Sequence, residues 1–94
     1  MHVVLWRFTT DDRETFELHY GTDGTWARLF RRDPNYIRTD LLRAGEGYVT
    51  LDWWASSRAY DAFQREHADA YAELDRLCEA VTASEEKLGE LETP

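Results

Sequence analysis

A hydroxyl, a carboxylate and an indole recur at every second position of the stretch Tyr48-Val-Thr-Leu-Asp-Trp-Trp54, as Thr50, Asp52 and Trp54. Alternate residues of a strand point to the same face, so this spacing sets three chemically different side chains in a row. If that face meets the rest of the fold, Asp52 is partly buried and needs a partner; Arg76, His19 and Tyr60 are the available donors. A buried carboxylate beside a phenol or an imidazole can act as a base. The same contact can equally be a structural hydrogen bond. Five aromatics, Trp26, Trp54, Tyr60, Phe63 and Tyr71, come from elements expected to cover one sheet face. They make either a packed aromatic core or a flat apolar slot for an aromatic ligand, rimmed by hydroxyls and an imidazole. His67 follows Tyr60 and Phe63 at helical spacing, and an imidazole suits proton transfer near neutral pH. Tyr60, His67 and Asp52 are thus the candidate catalytic groups. Trp26, Thr50, Trp54, Phe63, Tyr71, His19 and Arg76 are the candidate ligand contacts.

The elements that must position these residues follow from periodicity. "HVVLWRF" (2–8) reads as a strand with Val3 and Leu5 on one face and Val4, Trp6 and Phe8 on the other, which implies cover on both sides. Thr9 or Thr10 can cap the helix that carries Phe16 and Tyr20. "YGTDG" (20–24) interrupts it, and a helix restarts with Trp26, Leu29 and Phe30 on one stripe, closed by Pro34. "YIRTDLLR" (36–43) and "YVTLDWW" (48–54) form a hairpin across "AGEG". Ser56 or Ser57 caps a second helix, which runs on through "ADAYAELDRLCEAV" with Tyr71, Leu74, Leu77, Cys78 and Val81 in a stripe. "EEKLGELE" (85–92) closes the chain as a strand with Leu88, Glu90 and Glu92 on one face and Lys87, Gly89 and Leu91 on the other. The order βαββαβ predicts an α+β, ferredoxin-like domain over residues 1–94, with an antiparallel sheet and helices on one face. The other face, if apolar, calls for a second copy. Trp53 and Trp54 then serve opposite faces, one toward the helices and one toward a homodimer partner.

Composition narrows the function. The 94 residues carry a net charge of -8. Residues 1–44 hold seven acids and seven bases, and residues 45–94 hold twelve acids and four bases. Nucleic acid and anionic membranes are therefore unsuitable partners. No run of apolar residues reaches the ~18 of a membrane span, and no signal peptide is apparent. The single cysteine, Cys78, fits a reducing, cytoplasmic setting and a small core position. His2, His19 and His67 are far apart, and no HxxxH, CxxC or HExxH spacing occurs, so no metal site is expected. "YGTDGTW" lacks GK[ST] and reads as a helix break instead of a phosphate loop.

The segment "LDWWASSRAYDAF" resembles the W-x-S-x-x-A-[FY]-x-x-[FW] step of the antibiotic biosynthesis monooxygenase family, of the dimeric α/β-barrel superfamily. Trp54, Ser56, Ala59, Tyr60 and Phe63 fill that pattern. The resemblance implies a ferredoxin-like subunit, two sheets closed into a barrel across a homodimer, and a cavity between each sheet and its helices. Enzymes of this family include cofactor-free monooxygenases that oxidise planar polyphenolic or anthrone-type rings, the substrate itself supplying the electrons to O₂. The resemblance places Trp54 and Tyr60 along the slot. Thr50 stands where such enzymes can carry an amide. Two other readings go with the family: a non-catalytic dimer that binds an aromatic small molecule, and a haem-degrading protein. The last would use a second-helix histidine, here only His67, and a first-strand asparagine, which this chain lacks.

Overall fold

The computed structural model describes residues 1–94. Strand β1 (His2–Thr9) leads to helices α1 (Arg13–Tyr20) and α2 (Thr25–Phe30). Strands β2 (Tyr36–Ala44) and β3 (Gly47–Trp54) follow, then helices α3 (Ser57–Glu66) and α4 (Ala68–Cys78), a 3-10 turn (Glu79–Val81) and strand β4 (Ser84–Glu92). The four strands form one antiparallel sheet in the order β2-β3-β1-β4. With each helical connection divided in two, this is the ferredoxin-like α+β fold. No helix is long and apolar enough to cross a membrane.

Local chemistry explains the boundaries. Asp12, not Thr9 or Thr10, caps α1: its carboxylate accepts from the Thr15 N–H at 3.1 Å, while Thr9 remains in β1. Thr10 Oγ1 instead accepts from the Asp12 N–H. Ser56 caps α3 through the Ala59 N–H at 3.1 Å. The second helix is not continuous. His67 leaves helical geometry (φ -117°, ψ 27°) and joins α3 to α4. β2 and β3 are joined by the two-residue turn Gly45-Glu46, where Gly45 takes a φ of 62°, a value that suits glycine.

The hairpin register pairs Thr39 with Asp52 and Leu41 with Thr50; β1 pairs Val4 with Asp52, Trp6 with Thr50 and His2 with Trp54. All of these lie on the helix side. Tyr48, Thr50, Asp52 and Trp54 are buried there. Trp53 takes the opposite face, where its indole N–H donates to Asp40 at 3.0 Å and the Arg38 guanidinium lies 5.2 Å above its ring. Val3, Leu5, Val49, Leu51 and Leu91 share that face by register, and Leu91 is 59% exposed. β4 departs from simple alternation. A bulge opposite Leu5/Trp6 shifts the register by one, so Lys87 and Glu85 join Glu90 and Glu92 on the helix side.

Candidate active site

The aromatic set divides into two parts. Trp54, fully buried, is ringed by Phe30, Tyr36, Tyr60 and Phe63, with centroids 5.1–5.6 Å away. These are packing distances for aromatic pairs. Phe63 is equally sealed, and the Trp54 indole nitrogen finds no partner. This part is a core, not a slot. The open space starts one step back along β3, where the indole gives way to Asp52 and Thr50.

There a cavity of about 180 Å³ lies between the sheet and the helices. Trp6, Trp26, Tyr71 and Phe30 supply aromatic walls; Thr39, Thr50 and Asp52 supply polar atoms; Asp75 and Glu85 stand at the rim. Trp26 and Tyr71 meet edge-on at 4.8 Å. No lysine, arginine or histidine lines the space.

Asp52 is 9% exposed. Its partner is none of Arg76, His19 or Tyr60 but Thr39, whose hydroxyl donates to Oδ1 at 2.7 Å. With that hydrogen committed, the Tyr36 hydroxyl must be the donor in its 2.7 Å contact with Thr39 Oγ1. The relay Tyr36–Thr39–Asp52 leaves Oδ2 without a protein partner and not sealed off, so Oδ2 is the atom Asp52 offers to the cavity. Burial pushes the carboxyl up to about 6; the Thr39 bond opposes the shift and nearby Asp40 adds to it. Thr50 is 3% exposed, and its hydroxyl is likewise free toward the cavity. Burial pushes the Tyr71 phenol up to about 12, so it stays a neutral donor.

Thus Asp52 and Thr50 from the sheet and Trp26 and Tyr71 from the helices are brought together around one cavity, whereas Trp54 and Phe63 do not line it. Tyr60 packs between Trp54 and His2, with Lys87 Nζ 5.8 Å from its ring, and does not reach the cavity. His67 stacks on Phe63 at 4.7 Å at the α3–α4 joint, also away from it. His19 ties α1 to α2 through Thr25 at 2.9 Å. Arg76 lies on the outer side of α4, in a groove with Arg28 and Arg32. A haem iron seated in the cavity would find no imidazole there, and no cluster of three metal-binding side chains exists. Thr39, Trp6, Asp75 and Glu85 are lining residues that sequence reading missed. Thr39 was accessible to it, because a two-residue turn at 45–46 sets it opposite Asp52.

No protein-family profile matches the chain, and no curated protein matches it significantly. Solved structures do. SnoaB, a cofactor-independent oxygenase from Streptomyces nogalater, superposes with a TM-score of 0.78 at 21% identity over 99% of this chain and 92% of its own. An antibiotic biosynthesis monooxygenase gives a TM-score of 0.65 at 15% identity, covering 100% and 99%. PA3566 from Pseudomonas aeruginosa gives 0.65 at 14% identity, covering 99% and 93%. At these identities the likeness is one of architecture: over almost its full length the chain shares the fold of SnoaB and of an antibiotic biosynthesis monooxygenase.

Proposed function

We propose that the protein is a cofactor-independent monooxygenase of the antibiotic biosynthesis type, acting on a planar phenolic or polyketide-like small molecule. The observation that carries this reading is Oδ2 of Asp52, a buried carboxylate oxygen free to face an aromatic-walled cavity. Near pH 7 a carboxyl that titrates at about 6 is mostly ionised and can accept a proton from a bound phenol or anthrone. Because the proton moves from ligand to Asp52, the charge inside the cavity does not change. The resulting anion is electron-rich and passes one electron to O₂. Recombination of the radical pair forms a C–O bond, and protonation gives a hydroperoxide. In an anthrone, loss of water then turns the CH₂ into C=O, so one O₂ yields one carbonyl oxygen and one water. The protein supplies the base, the apolar walls and the exclusion of bulk water.

The test is oxygen uptake with anthrones and dihydroxynaphthalenes in the presence of a chelator. The rate should rise through about pH 6 as Asp52 ionises, and Asp52→Asn should lower it at least tenfold, about 1.4 kcal/mol in barrier. The second reading, a non-catalytic aromatic binder, is favoured by the lack of any cation or amide among the lining residues to steady an anion. Tight binding with no oxygen uptake in wild type would establish it.

The apolar outer face of the sheet supports the assembly part of the reading. A second copy covering Leu5, Leu51, Trp53 and Leu91 would bury a surface that a monomer leaves partly to water.

A further inference from the structure

The inner cavity is too small for a large polycycle. A space of about 150 Å³ accepts one benzene ring, so about 180 Å³ seats one ring and part of a second. The cavity does not end there. A neighbouring cleft of about 200 Å³ shares Tyr20, Asp75 and Glu85 with it and adds Glu79, Thr82 and Ser84. A ligand longer than two rings has room to extend into this cleft.

The cleft is strongly negative and uncompensated. Asp75, Glu79 and Glu85 take part in none of the ion pairs of the molecule, which join His2 to Glu90 and Glu92, Arg31 to Asp23, Arg38 to Asp40, Arg43 to Glu17 and Lys87 to Glu90. The carboxylates also act on one another: burial, then Asp75 and Glu79, hold the Glu85 carboxyl above its ordinary range. The hydroxyls beside them are already engaged, Thr82 with the Cys78 carbonyl and Ser84 with Thr9. At the inner end, by contrast, two buried polar groups stand free, Oγ1 of Thr50 and Oδ2 of Asp52. One end asks for a hydroxyl and the other for positive charge.

We propose that the ligand is a phenol carrying a protonated amine at its far end. The ring enters between Trp26 and Tyr71, its hydroxyl reaches Asp52 and Thr50, and the ammonium lies among Asp75, Glu79 and Glu85. This rests on the reading of the cavity as a phenol site. It also assists the oxidation, because a cation bound in the cleft lowers the cost of forming an anion on the ring. A ligand with a carboxylate at the same position is repelled.

The experiment uses three probes built on 2,6-dihydroxynaphthalene with one two-carbon arm, ending in a primary amine, its N-acetyl amide or a carboxylate. Binding to the intact protein is followed by tryptophan fluorescence at low ionic strength. The amine should bind about tenfold tighter than the amide, and the carboxylate about tenfold weaker. Both gaps should shrink to less than threefold in Asp75→Asn/Glu85→Gln, and should narrow in 0.5 M salt as screening requires. Equal affinities for the three probes, or a carboxylate that binds best, would overturn the inference while leaving the oxidation reading intact. The expected order without oxygen uptake would uphold it and sink the oxidation reading. Failure of all three probes to bind would overturn both.

Discussion

Thr39 and Asp52 face each other across the β2–β3 ladder, and the threonine hydroxyl donates to the carboxylate at 2.7 Å. This bond stabilises the charged form of Asp52, against the burial that disfavours it. Thr39→Val keeps the shape and removes the donor. It should cost roughly 2 kcal/mol in urea unfolding at pH 7, where the bond is to a charge, and about 1 kcal/mol at pH 4. An equal cost at both pH values would mean that Asp52 is not ionised at pH 7.

Asp52 titrates at about 6 in the fold and near 3.8 when unfolded. Between those values the folded chain holds a proton that the unfolded chain has lost. The stabilising contribution is complete below about pH 4 and disappears as the pH rises through 6. Its size is roughly 3 kcal/mol at ~1.4 kcal/mol per pH unit. Asp52→Asn should therefore gain on wild type by about that amount between pH 4 and pH 7, read as the difference between two denaturation series. A constant difference would place the carboxyl in water.

Trp54 and Tyr71 should separate stability from binding. Trp54→Ala empties the centre of a sealed ring cluster and should cost about 3–5 kcal/mol. Tyr71→Ala removes a half-buried wall and should weaken 2,6-dihydroxynaphthalene about tenfold, with the smaller loss of stability. Thermal melts and fluorescence titration read the two effects. A Trp54 variant that melts like wild type would refute its core assignment.

Trp53 points away from the cavity, so it tests the assembly alone. In sedimentation, wild type should run at about twice the chain mass at micromolar concentration. Trp53→Glu, with a charge in place of the outer-face indole, should run as a monomer with unchanged helical content.

The fold was legible because its signals are local. The break at "YGTDG", the hairpin at "AGEG" and the alternation of Thr50, Asp52 and Trp54 each follow from a few neighbouring residues. The same alternation told which residues share a face with Asp52. It did not tell where packing ends and space begins, since Trp54 and Thr50 have the same orientation and differ only in what α2 and α3 lay over them. His67 misled because its helical spacing from Phe63 survives the break in the helix at His67 itself. Asp75 and Glu85 come together only through the pairing of β4 with β1, and a bulge in that pairing defeats simple alternation.

That bulge acts as a parity element. Gly89 holds a φ of 151°, which a residue with a side chain enters only under strain, and the half of β4 before it is displaced by one place against β1. In an unbulged strand Leu88 would sit opposite Trp6 and Glu86 opposite Phe8, while Lys87 and Glu85 would turn to the outer face. The cleft would exchange the Glu85 carboxylate for that of Glu86 at a different height and gain a leucine beside the aromatic wall; the outer face would acquire a lysine and a glutamate. One glycine thus decides, for a whole half-strand at once, which side chains face the helices and the cavity and which face outward.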